Sequence, residues 1–248
     1  MALIEARDLT IGYTEPLMEH LDFNVERGDV FLVLGGSGTG KSTMLRTMIG
    51  LQPPLGGSIE LEGVGDPALL DGKRPRFGVS FQAGALFGSM TIAQNVALPL
   101  EQWTDLDGAT IDGIVAGKLR LVGLEQAANR LPSELSGGML KRAGIARALA
   151  LENDLLFLDE PSAGLDPVTA SELDDLLLTL NQALGLTLVV VTHELESIYR
   201  IGTRCFLLDR DTRGIIAEGD PRVLRDESTD PRVRAFFHRE SVTGEVTP

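Results

Sequence analysis

The sequence predicts an α/β fold with a largely parallel core sheet, and three observations carry that prediction. Residues 30–34, 155–158 and 188–191 are apolar at every position, the pattern of strands buried on both faces rather than the alternation of a half-exposed strand. Each run leads through a polar turn into a helical pattern, so strands and helices alternate along the chain. A glycine-rich turn, Gly35 to Gly40, links the first strand to its helix at residues 43–49, and this is the carboxyl edge at which open α/β sheets carry ligands.

The remaining elements attach to this core. Residues 3–10, 21–26 and 58–61 are short, partly alternating segments separated by Gly and Pro, which predicts an antiparallel β layer leaning on the core. From Thr91 to Leu149 the pattern turns helical, an inserted helical subdomain. Residues 205–209 and 215–218 read as a hairpin around Asp211-Thr212-Arg213-Gly214. A short helix is expected at 233–238, where Phe236 and Phe237 need burial either on their own core or on a neighbouring subunit. The expected organisation is one domain over 1–238. Its core and β layer come from 1–90 and 150–220, its helical subdomain from 91–149 and its C-terminal helical element from 220–238. A polar tail follows at 239–248, either clasping a partner or disordered.

Composition removes several function classes. The 248 residues include 22 Lys+Arg against 36 Asp+Glu, a formal charge of −14, which repels phosphate backbones and argues against nucleic acid as a partner. A hydrophobic share of 43% suffices for a packed core. The one cysteine, Cys205, excludes an internal disulfide framework and a Cys-rich zinc site, and reads as a buried strand thiol suited to a reducing compartment. The start lacks a basic segment followed by an apolar run. The longest apolar stretches, 30–34 and 186–191, fall far short of the ~18 residues of a membrane helix. Work at a membrane therefore requires another chain to supply the span.

Gly35-Gly36-Ser37-Gly38-Thr39-Gly40-Lys41-Ser42 fits G-x-x-x-x-G-K-[ST] between a buried strand and a helix, the context this phosphate-binding motif requires. Glycines allow successive N–H groups to converge on phosphate oxygens, and the helix start adds partial positive charge. Lys41 is expected on the β- and γ-phosphates, Ser42 on Mg²⁺, and Thr43 on the α-phosphate side. A dinucleotide fingerprint fails, because its third glycine falls on Lys41. At the end of the strand 155–158 stand Asp159 and Glu160. Asp159 suits Mg²⁺. Glu160 suits the polarising of an attacking water, since adjacent carboxylates repel and one pKa rises. Leu135-Ser136-Gly137-Gly138-Met139 opens a further helix with Ser136 as N-cap, a second start suited to anions.

That segment resembles the signature motif of the ATP-binding-cassette (ABC) ATPases, and Ser136 lies 23 residues before Asp159, as in that family. Gln82 resembles the Q-loop glutamine, Ser162-Ala163-Gly164-Leu165-Asp166 the D-loop, His193 the switch histidine, and Tyr13 the aromatic that stacks on adenine. Each has a plainer alternative: a polar strand end for Gln82, a solvated loop residue for His193, packing for Tyr13, and a helix cap for Asp166. The resemblance covers about residues 3–220. It implies a P-loop NTPase with a RecA-like core sheet, N-terminal antiparallel β layer and inserted helical subdomain.

Where most of the family has Gln, this chain has Met139. With residues 82–87 and 230–237, that ending is similar to the subgroup serving Mce/Mla-type lipid transporters. The resemblance implies an ATPase using ATP and Mg²⁺, catalytic Glu160, His193 and Gln82, and metal contacts from Ser42, Gln82 and Asp159. It also implies a head-to-tail homodimer. Ser136, Gly137, Gly138 and Asp166 of one copy would complete the nucleotide site of the other, formed by Tyr13 and the cradle Gly35 to Thr43. Further expected partners are a transmembrane permease, received near residues 84–90, a STAS-type small subunit and an Mce-type lipid-binding protein. The expected place is the cytoplasmic face of the inner membrane, and the expected work is phospholipid trafficking. Phe87 either packs in the core or belongs to the permease-facing patch. The alternatives are a solute importer's ATPase subunit, a soluble ABC ATPase and a regulatory ATP-binding module.

Overall fold

The computed structural model describes residues 2–70, 72–82 and 84–240, so most of the expected polar tail, from 241 onward, lies outside the described residues. The chain divides into two compact units, Met1–Ala68 with Val191–Pro248, and Leu69–Val190. In chain order the elements are β1 (Ala2–Gly12), β2 (Pro16–Glu26), β3 (Val30–Gly35), α1 (Lys41–Met48), β4 (Gly56–Leu61) and β5 (Gly78–Ser80). Next come α2 (Ile92–Trp103), α3 (Gly108–Leu121), α4 (Gly137–Ala148), β6 (Leu155–Asp159), α5 (Pro167–Leu184) and β7 (Thr187–Val191). The chain then forms α6 (Leu195–Ile201), β8 (Arg204–Asp209), β9 (Gly214–Gly219), α7 (Pro221–Glu227) and α8 (Pro231–His238).

In the first unit β2, β1 and β4 form the expected antiparallel sheet, with β1 between its partners. β2 begins at Pro16 rather than at 21. Irregular pairing breaks the period there: Asp8 and His20 both have positive φ (48° and 53°), and the β1–β2 register shifts between Ala6 and Leu9 and again between Leu9 and Ile11. Such a shift moves side chains between faces and hides a strand from an alternation test. All six residues of β3 are buried. β3 pairs in parallel with β8, Phe31 opposite Arg204 through Gly35 opposite Leu208, and β8 pairs antiparallel with β9 as the expected hairpin. Phe23, Phe31 and Phe206 join the β layer to the core strands, with ring centroids 5.0 to 6.3 Å apart. Each such buried ring contributes about 1.5–3 kcal/mol.

The C-terminal helices belong to this unit. Both start in the same way: Asp220 and Asp230 cap with their side chains and Pro follows at the first helical position, where a missing N–H costs nothing. α7 lies within the expected helical element 220–238, and α8 starts two residues before the helix expected at 233, at Pro231. Phe237 is 2% exposed and lies against Tyr199, whose hydroxyl donates to the Phe237 carbonyl at 2.8 Å. Its burial is thus on its own unit.

The second unit carries β5, β6 and β7 side by side, with β5 and β6 parallel. Gly78 is needed in β5, since a Cβ there would lie 2.2 Å from the Ala148 carbonyl oxygen. The stretch expected to be helical holds α2, α3 and α4. α2 opens on a capping box in which Thr91 and Gln94 satisfy each other's main chain. α5 opens on Asp166-Pro167 and closes on Gly185 in the left-handed conformation. Among the described residues no helix is long and apolar enough to cross a membrane.

Candidate functional site

The first unit holds the glycine-rich turn where β3 ends. Gly35 has φ 155°, and a Cβ there would lie 2.5 Å from the Thr39 hydroxyl and 3.0 Å from the Leu208 carbonyl, so only glycine allows the turn to leave the sheet here. Gly36, Ser37 and Gly38 are exposed, Thr39 and Thr43 are buried, and Ser42 is exposed at the head of α1. The Thr39 hydroxyl donates to the Gly36 carbonyl at 3.0 Å. Gly40, at φ 86°, is the N-cap, and no side chain caps the helix. α1 therefore presents backbone N–H groups to solvent, a ready anion site. The Lys41 ammonium donates to the carbonyls of Gly35 and Gly36 at 2.9 and 2.8 Å, which arches the loop around its own charge.

Tyr13 is 60% exposed, so core packing does not explain it. Its hydroxyl accepts a hydrogen bond from the Arg46 guanidinium of α1 at 2.9 Å, and the Gln52 amide donates to the carbonyl of the neighbouring Gly12. The ring is pinned by its tip and flanked at its base. His193 follows β7; its side chain is 57% exposed and its Nε2 lies 3.6 Å from the Glu194 carboxylate.

The second unit carries the acids and the second helix start. Asp159 and Glu160 end β6 and are both half-buried. Glu160 has φ 47°, a left-handed backbone that costs a non-glycine residue about 1–3 kcal/mol and is typical of functional positions. Ser136 accepts from the Met139 N–H at 3.4 Å as N-cap of α4. Gly137 is exposed, whereas Gly138 is buried against Thr169 of α5. Asp166 caps α5, accepting from the Val168 and Thr169 N–H groups at 3.1 Å and from the Thr169 hydroxyl at 2.6 Å. These bonds, the Thr169 hydroxyl's first, hold its carboxyl below the usual carboxylate range. The cap is thus a demonstrated role of Asp166.

Gln82 ends the segment after β5 with its side chain exposed. Its main chain is gripped by a residue that sequence reasoning missed: Lys141, 8% exposed, donates to the Gln82 carbonyl at 2.6 Å and to the Glu160 carbonyl at 3.0 Å. Arg147 does likewise for the carbonyls of Ala85 and Gly84, at 2.6 and 3.1 Å. Asn95, fully buried, ties down the next stretch by accepting from the Phe87 N–H and donating to the carbonyls of Phe87, Met90 and Thr91. The sequence signal for Asn95 was a lone amide on the apolar face of a helix. Phe87 itself is 53% exposed, which removes the core alternative. Nearby lies a cleft of about 380 Å³ with apolar walls from Phe77, Leu98, Pro99 and Trp103, and with Arg147 and Asn153 as polar lining. The Asn153 amide nitrogen is buried without a hydrogen-bond partner among the described residues, a standing donor for an incoming acceptor.

In the first unit the turn offers N–H groups and an ammonium suited to phosphates, and Ser42 a hard oxygen donor; in the second unit Gln82 and Asp159 offer hard oxygen donors, the kind Mg²⁺ accepts in company with phosphate oxygens.

Residues 18–163 match the family described as ABC transporter. The chain is 39% identical over 240 residues to the intermembrane phospholipid transport system ATP-binding protein MlaF of Escherichia coli, covering 95% of this chain and 88% of that protein. It is 44% identical over 196 residues to the methionine import ATP-binding protein MetN of Lacticaseibacillus paracasei, covering 77% of this chain and 55% of that one. Among solved structures, a dimeric post-hydrolysis state of the ATP-binding cassette MJ0796 bound to ADP and Pi matches with a TM-score of 0.78 and 29% identity, over 88% of this chain and 98% of that one.

Proposed function

We propose that this chain, which belongs to the ABC transporter family and is an ATPase of that type, powers phospholipid trafficking between the inner and outer membranes. The observation that carries the lipid reading is the reach of its likeness to MlaF, 95% of this chain and 88% of that protein. The Met139 ending of the signature and the segments 82–87 and 230–237 support it. A methionine-type importer is the second reading, favoured by the 44% identity to MetN over a shorter span.

In this reading each part does what its chemistry allows. The N–H groups of the cradle and Lys41 bind the phosphates. Thr43 sits toward the α-phosphate, and Tyr13 stacks on adenine. Mg²⁺, when bound, neutralises charge on the β- and γ-phosphates, and Ser42, Gln82 and Asp159 would hold it. Glu160 takes the proton of the attacking water, with His193 and Gln82 orienting groups around the γ-phosphate. Ser136, Gly137 and Gly138 of a second copy, with its Asp166, close over the nucleotide. The dimeric state of the MJ0796 cassette supports that arrangement.

Two chains of charge −14 repel each other. Closure therefore rests on locally positive groups, Lys41, Mg²⁺ and opposed helix starts, and loss of the γ-phosphate favours opening. A permease would seat near residues 84–90, where Phe87 is exposed. A STAS-type small subunit and an Mce-type lipid-binding protein complete the assembly at the cytoplasmic face of the inner membrane.

Two measurements test the reading. Glu160→Gln is expected to bind ATP, to lose ~10²–10⁴-fold in hydrolysis and to accumulate as dimer by light scattering. Wild-type turnover in that variant would remove Glu160 from the base role. Purification from native membranes is expected to bring down a permease, a lipid-binding subunit and phospholipid; an amino-acid- or sugar-binding protein instead would overturn the lipid assignment.

A further inference from the structure

Helix α4 does more than present its N-terminus. Its flank rests on Ser80 and Gly84 at close range: a Cβ on Gly144 would lie 2.9 Å from the Ser80 hydroxyl and 3.4 Å from the Gly84 main chain. On either side of that glycine stands a long cation turned inward. Lys141 binds the carbonyl of Glu160, and Arg147 binds the carbonyl of Ala85. Both gripped residues are non-glycine residues with left-handed backbones, φ 47° at Glu160 and 48° at Ala85. Neither conformation is favourable by itself. A charge-assisted hydrogen bond to the carbonyl is a specific way to hold such a residue in place.

We propose that Lys141 is a positioning residue for ATP hydrolysis. By bonding the Gln82 and Glu160 carbonyls at once, its ammonium sets the direction of the Glu160 carboxylate and fixes it relative to the Gln82 segment. The inference rests on the reading of Glu160 as the base. The cost of the arrangement is visible: burial lowers the Lys141 pKa, while the charges of Glu160 and Asp159 raise it. A lysine 8% exposed keeps its charge only where its donors are used.

The linkage has a mechanical consequence. The helix whose head, Ser136 to Gly138, faces the other copy's nucleotide in the proposed dimer is the helix whose flank holds this copy's Gln82 and Glu160. A shift of α4 on nucleotide capture is thereby felt at the catalytic carboxylate without any side-chain contact between the two.

The test is a cycle of Lys141→Met, Lys141→Arg and Glu160→Gln in the full chain. The readouts are kcat, the KM for ATP, binding of trinitrophenyl-ATP and the melting temperature. Lys141→Met is expected to lower kcat at least tenfold while KM and analogue binding stay within twofold. Lys141→Arg, which keeps donors for both carbonyls, is expected to retain at least a third of the wild-type rate, and it carries the test where the Met variant does not fold. In the Glu160→Gln background the Lys141 substitutions are expected to change the residual rate less than twofold, because both act through one carboxylate.

Wild-type kcat in a folded Met variant overturns the proposal. So does a loss of rate that tracks KM, an Arg variant as impaired as the Met variant, or a full further loss on top of Glu160→Gln. Should Glu160→Gln itself keep wild-type turnover, it is the base assignment that fails rather than the Lys141 bond.

Discussion

An alanine at position 138 would bring its methyl carbon to 2.4 Å from the Thr169 Cγ2, 1.0 Å inside the 3.4 Å at which ordinary van der Waals contact begins. Thr169 does not swing aside freely. Its hydroxyl donates to Asp166 at 2.6 Å while Asp166 also takes the Val168 and Thr169 N–H groups, so a new rotamer forfeits a bond worth about 1 kcal/mol. Overpacking of this kind costs about 1–3 kcal/mol, and the gain in helix propensity from Gly to Ala returns up to about 1 kcal/mol. With both terms at mid-range the balance is a loss of about 1.5 kcal/mol, which in a chain of this size lowers the melting temperature by about 3–6 °C. Thermal unfolding followed by circular dichroism reads this directly. Thr169→Ser removes Cγ2 and keeps the hydroxyl, so the double variant is expected to melt with Thr169→Ser alone or up to about 4 °C above it, the helix-propensity gain no longer being offset. A Gly138→Ala protein melting with the wild type, or a double variant still destabilised, would refute the contact as the reason for glycine there.

Three further outcomes are expected. Phe237→Ala deletes a ring 2% exposed and packed against Tyr199 and Phe236; it should cost about 3–5 kcal/mol in urea unfolding and release α8 to proteolysis first. The Cys205 thiol, pushed up to about 12 chiefly by burial, is expected to resist an aromatic disulfide reagent at pH 8 and to react fully once urea unfolds the chain. The His20 Nδ1–H donates to the Asp8 carboxylate at 2.6 Å, and that bond, followed by the Asp8 charge, raises the imidazole pKa. The protonated ring is the favoured form, so the pair's contribution is complete below the ordinary histidine value and fades as pH rises through the higher folded one. An NMR titration should place the midpoint above 6.5, and Asp8→Asn should lower it.

What could be read in advance follows from how local the signal is. β3 with its glycine turn, and β6 with Asp159 and Glu160, are contiguous runs whose meaning lies in neighbours along the chain, and the structure places them as expected. Asp166 reads both as a helix cap and as a dimer residue, and its capping bonds are present. The start of β2 was obscured by the bulged pairing around Asp8 and His20. Within the expected helical element 220–238, α7 is not separated from α8 by the pattern alone, although Asp220-Pro221 repeats the Asp230-Pro231 start of α8. Lys141 was illegible for a different reason. A lysine inside a helix normally reads as a solvated charge, and its two acceptors lie 59 and 19 residues away. Arg46, which holds the Tyr13 hydroxyl from 33 residues away, was hidden in the same manner.

The pairing of β3 with β8 has a consequence for how the protein comes into being. The strand that ends in the phosphate-binding turn is complete by residue 35, yet the strand beside it spans 204–209, and the Thr203 hydroxyl accepts from the Val30 N–H across 173 residues of chain. During synthesis, then, the glycine-rich turn waits unsupported on its Leu208 side until β8 has left the ribosome. If the turn binds ATP as proposed, capture waits for β8, and a nascent chain halted before β8 is expected to pass through the cell's nucleotide pool without engaging it.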